Sequence, residues 1–314
     1  MFSILQLNLN NIEVYLYKNM IKKNIMVSIF KNILTDKTRG KIEKLILKVA
    51  LISFFIHLAV IYFLKFGFID FNFNSELLKN PISAIYTPFS FILVYEVYLL
   101  IYYLPRSFTT YITKQYEIIT LIIIRKIFKD LSSIELSTNW FEIKDDLQFT
   151  YDLIASLLLF LFIYLFQKQG KKKVKHQLDL KPDIEKFVKK KRLIAVILVP
   201  LFLFMALDTL FKWSNGMSIS TNEFPSLESI NNLFFDQFFT VLILVDVVLL
   251  LISFFYTDQF HKIIRNSGFI ISTILIRMSF GVSGLTNTIL ILVAVLFGLA
   301  ILSVHNKYEK NSFI

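Results

Sequence analysis

The chain has 314 residues and a formal net charge of +11, with 55% hydrophobic residues and 18% charged ones. A soluble domain of this length buries a large core without such an excess. The apolar runs repeat along the chain, and those at 153–166 and 193–207 carry no charge, which marks an integral membrane protein. Cysteine is absent, so disulfides, thiolate zinc sites, iron–sulfur clusters and cysteine nucleophiles are excluded.

Residues 1–40 form a basic N-terminal segment. Met26, Phe30, Ile33 and Leu34 share one helical face there, with Lys22, Lys23 and Lys31 elsewhere. The segment reads either as a helix lying on an anionic leaflet or as a frayed tail. The basic stretch before the first apolar run is about forty residues, too long for the n-region of a signal peptide. The first span is therefore expected to act as an uncleaved anchor.

Eight candidate spans follow, at approximately 49–68, 83–104, 110–130, 150–167, 193–211, 236–256, 265–281 and 285–303. The third and seventh contain basic residues and could instead lie at the surface. Basic loops stay on the cytoplasmic side. The segment 168–192 holds Lys168, Lys171, Lys172, Lys173, Lys175, Lys189, Lys190, Lys191 and Arg192, and the first segment holds Lys37, Arg39, Lys41, Lys44 and Lys48. An even number of spans must separate these two segments, so 110–130 is expected to cross. The loop after it then lies outside, with Glu135, Glu142, Asp145 and Asp146. Lys126 and Lys129 sit near that outer surface, which weakens the assignment. Pro88 and Pro200 are expected to kink their helices. Gly281, Gly284, Ala294 and Gly298 provide close helix contact in the last hairpin.

The two halves resemble each other. ILVYE at 92–96 aligns with LILVD at 242–246, and EIITLIIIR at 117–125 with FIISTILIR at 269–277. Arg125 follows Glu96 by 29 positions and Arg277 follows Asp246 by 31. With four spans per half, the duplication would be a parallel repeat. The division is then 41–167 for the first membrane repeat, 168–192 for the basic cytoplasmic loop, 193–305 for the second repeat and 306–314 for the tail.

Charges at bilayer depth are costly and usually face one another. Glu96, Arg125, Asp246 and Arg277 are the principal candidates. Glu117 joins them because Glu117, Leu121 and Arg125 recur every four residues on one helical face. These charges carry two readings: they line a polar path, or each pair holds two helices in register. His57, alone in an apolar span, and Asp208 and Asp236 at the outer ends of their spans are weaker candidates. No Walker A loop, GxGxxG, GxSxG, HExxH or TVGYG motif occurs, and Tyr151-Asp152 lacks the GxGD partner of an intramembrane aspartyl protease site.

The expectation is an all-α polytopic helix bundle of the cell (inner) membrane, with about eight transmembrane helices and both termini cytoplasmic. Its expected work is moving an ion or small solute past the acid–arginine pairs. The alternative is a non-transporting scaffold or anchor that holds a partner through the basic loop. No catalytic residue, metal or cofactor is expected. The expected partners are the bilayer, anionic headgroups at Lys171, Lys172, Lys173 and Lys175, and another copy of the chain or a membrane partner. No nucleic acid is expected.

Overall fold

The computed structural model describes residues 32–67, 81–131, 144–171, 182–219, 227–282 and 284–311. These form eight α-helices: α1 (Asp36–Lys65), α2 (Tyr86–Tyr103), α3 (Phe108–Asp130), α4 (Lys144–Lys171), α5 (Pro182–Ile219), α6 (Leu227–Phe254), α7 (Phe260–Ser279) and α8 (Leu285–Asn311). A 3-10 turn at Pro81–Ile85 leads into α2. No strand occurs among the described residues.

The helix ends follow local chemistry. Thr35 caps α1, its side chain accepting from the Thr38 N–H. Gly67, with φ +73°, takes the left-handed position just past the helix end. The Ser107 hydroxyl accepts from the Thr110 N–H at 3.2 Å and starts α3. Pro182 opens α5, where its missing N–H costs nothing, and the helix runs unbroken into the apolar stretch beyond Leu193. Pro88 lies in the first turn of α2, where a proline is tolerated and no helical bond is lost. It therefore does not break that helix, whereas Pro200 does lie inside α5. Between α7 and α8, the Asn287 amide donates to the carbonyls of Ser279 at 2.7 Å and Val282 at 3.2 Å.

Among the described residues α1 to α4 pack successively, as do α5 to α8, and α4 also packs along α8. The core lies among α2 to α8, and Tyr111, Tyr116, Phe166, Phe238 and Phe269 are buried there. Small residues let these helices approach. A Cβ added at Gly298 would lie 1.8 Å from the Tyr116 hydroxyl, and one at Gly268 would lie 2.8 Å from Ile301. The Tyr116 hydroxyl pairs with Ser272 at 2.7 Å, and Ser272 donates to the Ala294 carbonyl at 2.6 Å. Three helices therefore meet at one point.

The first helix is peripheral. Its contacts run to α2 and the 3-10 turn. Leu45, Leu51, Ile52, Phe55 and Phe63 of α1 are exposed. Tyrosines spaced three or four apart on one face of α2 bind its first half. Tyr95 donates to Glu43 at 2.9 Å, Tyr98 to the Ile33 carbonyl at 2.6 Å, and Tyr102 to Asp36.

Four stretches among the described residues are long and apolar enough to cross a membrane: Asp36–Lys65, Asp146–Lys171, Gln237–Phe254 and Leu285–Asn311. A shorter apolar helix covers Thr87–Tyr103. Their composition is that of a membrane protein.

Candidate functional site

Glu96 and Arg125 meet across the α2–α3 hairpin. Arg125 Nη2 donates to Glu96 Oε2 at 2.7 Å, and both side chains are less than a tenth exposed. The contact is single rather than bidentate, and the Arg125 Nε is buried without a partner. The two residues sit at different distances from the hairpin turn, and the length of the guanidinium side chain bridges that offset.

Glu117 is not part of this pair. It accepts from Lys114 at 2.5 Å and from Gln167 of α4 at 2.7 Å, and it is half-buried. Leu121, one turn on, is exposed. The row Glu117, Leu121 and Arg125 therefore divides among three environments, because three neighbours surround α3.

The second acid has different company. Asp246 on α6 is 1% exposed. Its Oδ2 accepts from Gln115 Nε2 of α3 at 3.0 Å. Its Oδ1 is buried without a hydrogen-bond partner. The buried Tyr111 hydroxyl, one helical turn before Gln115, lies close to the same carboxylate. Lys191 of α5 completes the surroundings. It is buried, its charge acts on Asp246, and its Nζ donates to the Arg106 carbonyl at 2.6 Å. The Lys191 ammonium lies 4.6 Å from the Phe108 ring centre, 5.7 Å from Phe187 and 5.9 Å from Tyr111. That cage of rings stabilises a cation that has left water.

A cavity of about 20 Å³ adjoins Asp246. It has room for one water. Arg277 and Thr273 of α7, Gln115 and Ile119 of α3, Leu100 of α2 and Phe239 of α6 help to line it. Asp246 and Arg277 thus line the same cavity.

No protein-family model, curated protein or solved structure matches the chain.

On its own chemistry, the Asp246 centre can hold one exchangeable small cation or one water. Among the described residues, no group of three metal-ligating side chains occurs.

The weaker candidates lie apart from this centre. His57 Nδ1 hydrogen-bonds to Thr87 of α2. Asp208 is half-buried on α5. The Asp236 side chain and Lys172, Lys173 and Lys175 lie outside the described residues, and Lys171 is exposed at the end of α4.

Several residues escaped the sequence reading. Tyr111 and Gln115 are a polar pair four apart on an apolar helix, a pattern that pointed to one face. Lys191 was hidden in the run of lysines. Asp152 accepts from Thr288 at 2.7 Å and Gln148 at 2.9 Å and pairs with Lys126 at 2.8 Å. Lys126 counted against a crossing helix, and this pairing supplies its counter-charge.

Proposed function

We propose that the chain is an eight-span protein of the cell (inner) membrane with both termini cytoplasmic, and that it moves an ion or small solute past Asp246 and Arg277. The single observation that carries the reading is the buried Asp246 carboxylate, with one unpartnered oxygen, beside a water-sized cavity that Arg277 also lines. Isolated intramembrane charges are expensive and mark ion or proton paths.

The span count rests on the eight helices, which pack successively within α1–α4 and within α5–α8. Lys37, Arg39, Lys41, Arg106, Lys168, Lys171, Lys189, Lys190, Lys262 and Lys307 then fall towards one side, as the positive-inside rule requires of a cytoplasmic face.

Two contacts favour a parallel repeat. At the start of α3, Thr109 meets Gly170 at the end of α4. At the start of α7, His261 stacks on His305 near the end of α8, with ring centres 5.2 Å apart. A two-fold axis along the membrane normal would relate such contacts and would also place α4 along α8. Within that repeat, Glu96 and Arg125 are the closed, structural version of the pair. Asp246 and Arg277 instead line one cavity.

Flux from proteoliposomes tests the reading. Gradients of protons, sodium, potassium and chloride are imposed in turn across vesicles holding the wild-type chain. At least one should dissipate faster than in empty vesicles, and Asp246→Asn should abolish that flux while still inserting. Unchanged flux in the variant overturns the path.

A further inference from the structure

We propose that His305 is a pH-sensitive latch. As the neutral imidazole it holds the start of α7 against the end of α8, and protonation releases it. The latch lies apart from the Asp246 cavity and goes beyond the flux reading.

The partners of the ring fix its state. Arg265 Nη1 of α7 lies 3.1 Å from His305 Nε2, and His305 Nδ1 lies 3.1 Å from the His261 carbonyl oxygen. A guanidinium has no acceptor, and a carbonyl has no hydrogen to give. Nε2 therefore accepts and Nδ1 donates, so the ring is the neutral tautomer with its hydrogen on Nδ1. The guanidinium is held along its other edge, where Asn266 Oδ1 accepts from Nε at 3.1 Å and from Nη2 at 2.9 Å. His305 and Asn266 are buried, and the His261 ring stacks on that of His305.

A second proton can join this ring only at Nε2. It would take the lone pair that Arg265 uses and set a second cation beside the guanidinium. Like charges at contact disfavour the charged form, so the closed latch takes the neutral ring alone. An imidazole in water is half protonated at about pH 6.5. The latch is therefore complete above that pH. Below it, the ratio of closed to released forms falls about tenfold per pH unit.

The surrounding charges support two arrangements. Helix α7 presents Arg265 and His261, with Lys262 next to the latter. Helix α4 presents the uncharged Gln169, flanked by exposed Lys168 and Lys171. On α8, Lys307 and Tyr308 are exposed, and the charge of Glu309 acts on Arg265. Glu309 stands four residues beyond His305, the spacing at which a helix pairs opposite charges. It supplies the released imidazolium with a counter-charge on its own helix.

The start of α7 is the part that moves. Helix α8 stays tied to α4, because Ser303 donates to Gln169 Oε1 at 2.8 Å and the Asn306 amide donates to the Gln169 carbonyl at 3.3 Å. Further along α7, Gly268 packs against Ile301 with no room for a Cβ and provides the pivot. In the topology proposed above this end faces the cytoplasm, so the latch reads cytoplasmic pH.

Two spin labels on the full chain in lipid nanodiscs test the latch. They go on Phe260→Cys at the start of α7 and Lys307→Cys near the end of α8, both exposed positions in a cysteine-free chain. Dipolar broadening reports the separation of the two ends as pH is stepped from about 8 to about 5, the range in which imidazole titrates. The broadening should be strong at the upper end and fade below about pH 6.5. His305→Gln, which offers Arg265 an oxygen that does not titrate, should stay broadened throughout. His261→Phe, which keeps the backbone carbonyl and a stacked ring, should fade as the wild type does. Broadening in the wild type that ignores pH overturns the proposal. So does a response that survives in His305→Gln or vanishes in His261→Phe. If His305→Gln fails to fold, nitrogen NMR of the four labelled histidines decides. One ring should carry its hydrogen on Nδ1 at the upper pH and become doubly protonated as the broadening fades. Absence of such a ring, or one that stays neutral while the broadening fades, overturns the latch.

Discussion

Gln115 of α3 donates to Asp246 of α6 at 3.0 Å, joining the two halves of the chain across 131 positions of sequence. This bond ties a polar residue of the first half to the acid that has a cavity beside it. Glu96 has no such cross-half donor, because its guanidinium partner already occupies it. Hydrogen bonds between membrane helices contribute about 0.6 kcal/mol on average and up to about 1.7 kcal/mol. Gln115→Leu should lower stability within that range in a detergent unfolding titration. A double-mutant cycle with Asp246→Asn should show coupling of the same size.

The Glu96–Arg125 pair predicts a larger effect. Removing one partner of a buried ion pair leaves an uncompensated charge and costs about 3–5 kcal/mol. Glu96→Gln and Arg125→Met should each lower the unfolding midpoint strongly. The joint variant Glu96→Leu with Arg125→Leu should recover most of the loss, because it removes both desolvation penalties. If the joint variant is as unstable as the singles, the pair is not holding α2 against α3.

Gly298→Ala should be disruptive. The new methyl would lie 1.8 Å from the Tyr116 hydroxyl and 3.3 Å from Ser272 Oγ, where three helices meet. Overpacking of this kind costs about 1–3 kcal/mol. Tyr116→Phe in the Gly298→Ala background should return part of the stability, since it removes the clashing oxygen. Thermal unfolding of the four proteins in the cycle reads the coupling directly.

Asp152 gathers Lys126, Thr288 and Gln148. Asp152→Asn keeps an oxygen for the two neutral donors, whereas Asp152→Ala leaves them unsatisfied inside the protein. The alanine variant should be the less stable by about 1–3 kcal/mol. Equal midpoints for the two variants would mean that the neutral bonds contribute nothing.

The natural absence of cysteine makes topology directly measurable. A single cysteine replacing exposed Phe66, just past the end of α1, should react with a membrane-impermeant thiol reagent on intact cells. One replacing exposed Tyr308, near the end of α8, should react only after lysis. The reverse pattern would invert the orientation, and labelling of both on intact cells would place an even number of spans between them.

What the sequence determined by itself was periodicity and cost. Long apolar runs must be helices, because backbone groups in hydrocarbon are satisfied only within a helix or a closed barrel. The eight helices accordingly lie where eight apolar stretches were marked. Rare acids and arginines in those runs were visible as residues that need an explanation. Which of them meet was not visible, since contact depends on the rotation and tilt of each helix. Glu117 and Arg125 lie eight residues apart on α3, yet one reaches α4 and the other α2. Asp246 and Arg277 repeat the spacing of Glu96 and Arg125 to within two residues, yet the tertiary structure gives Asp246 a Gln115 donor and brings in Tyr111 and Lys191. Those three come from α3 and α5. Only the packing of α3, α5 and α7 around α6 could bring them to one carboxylate.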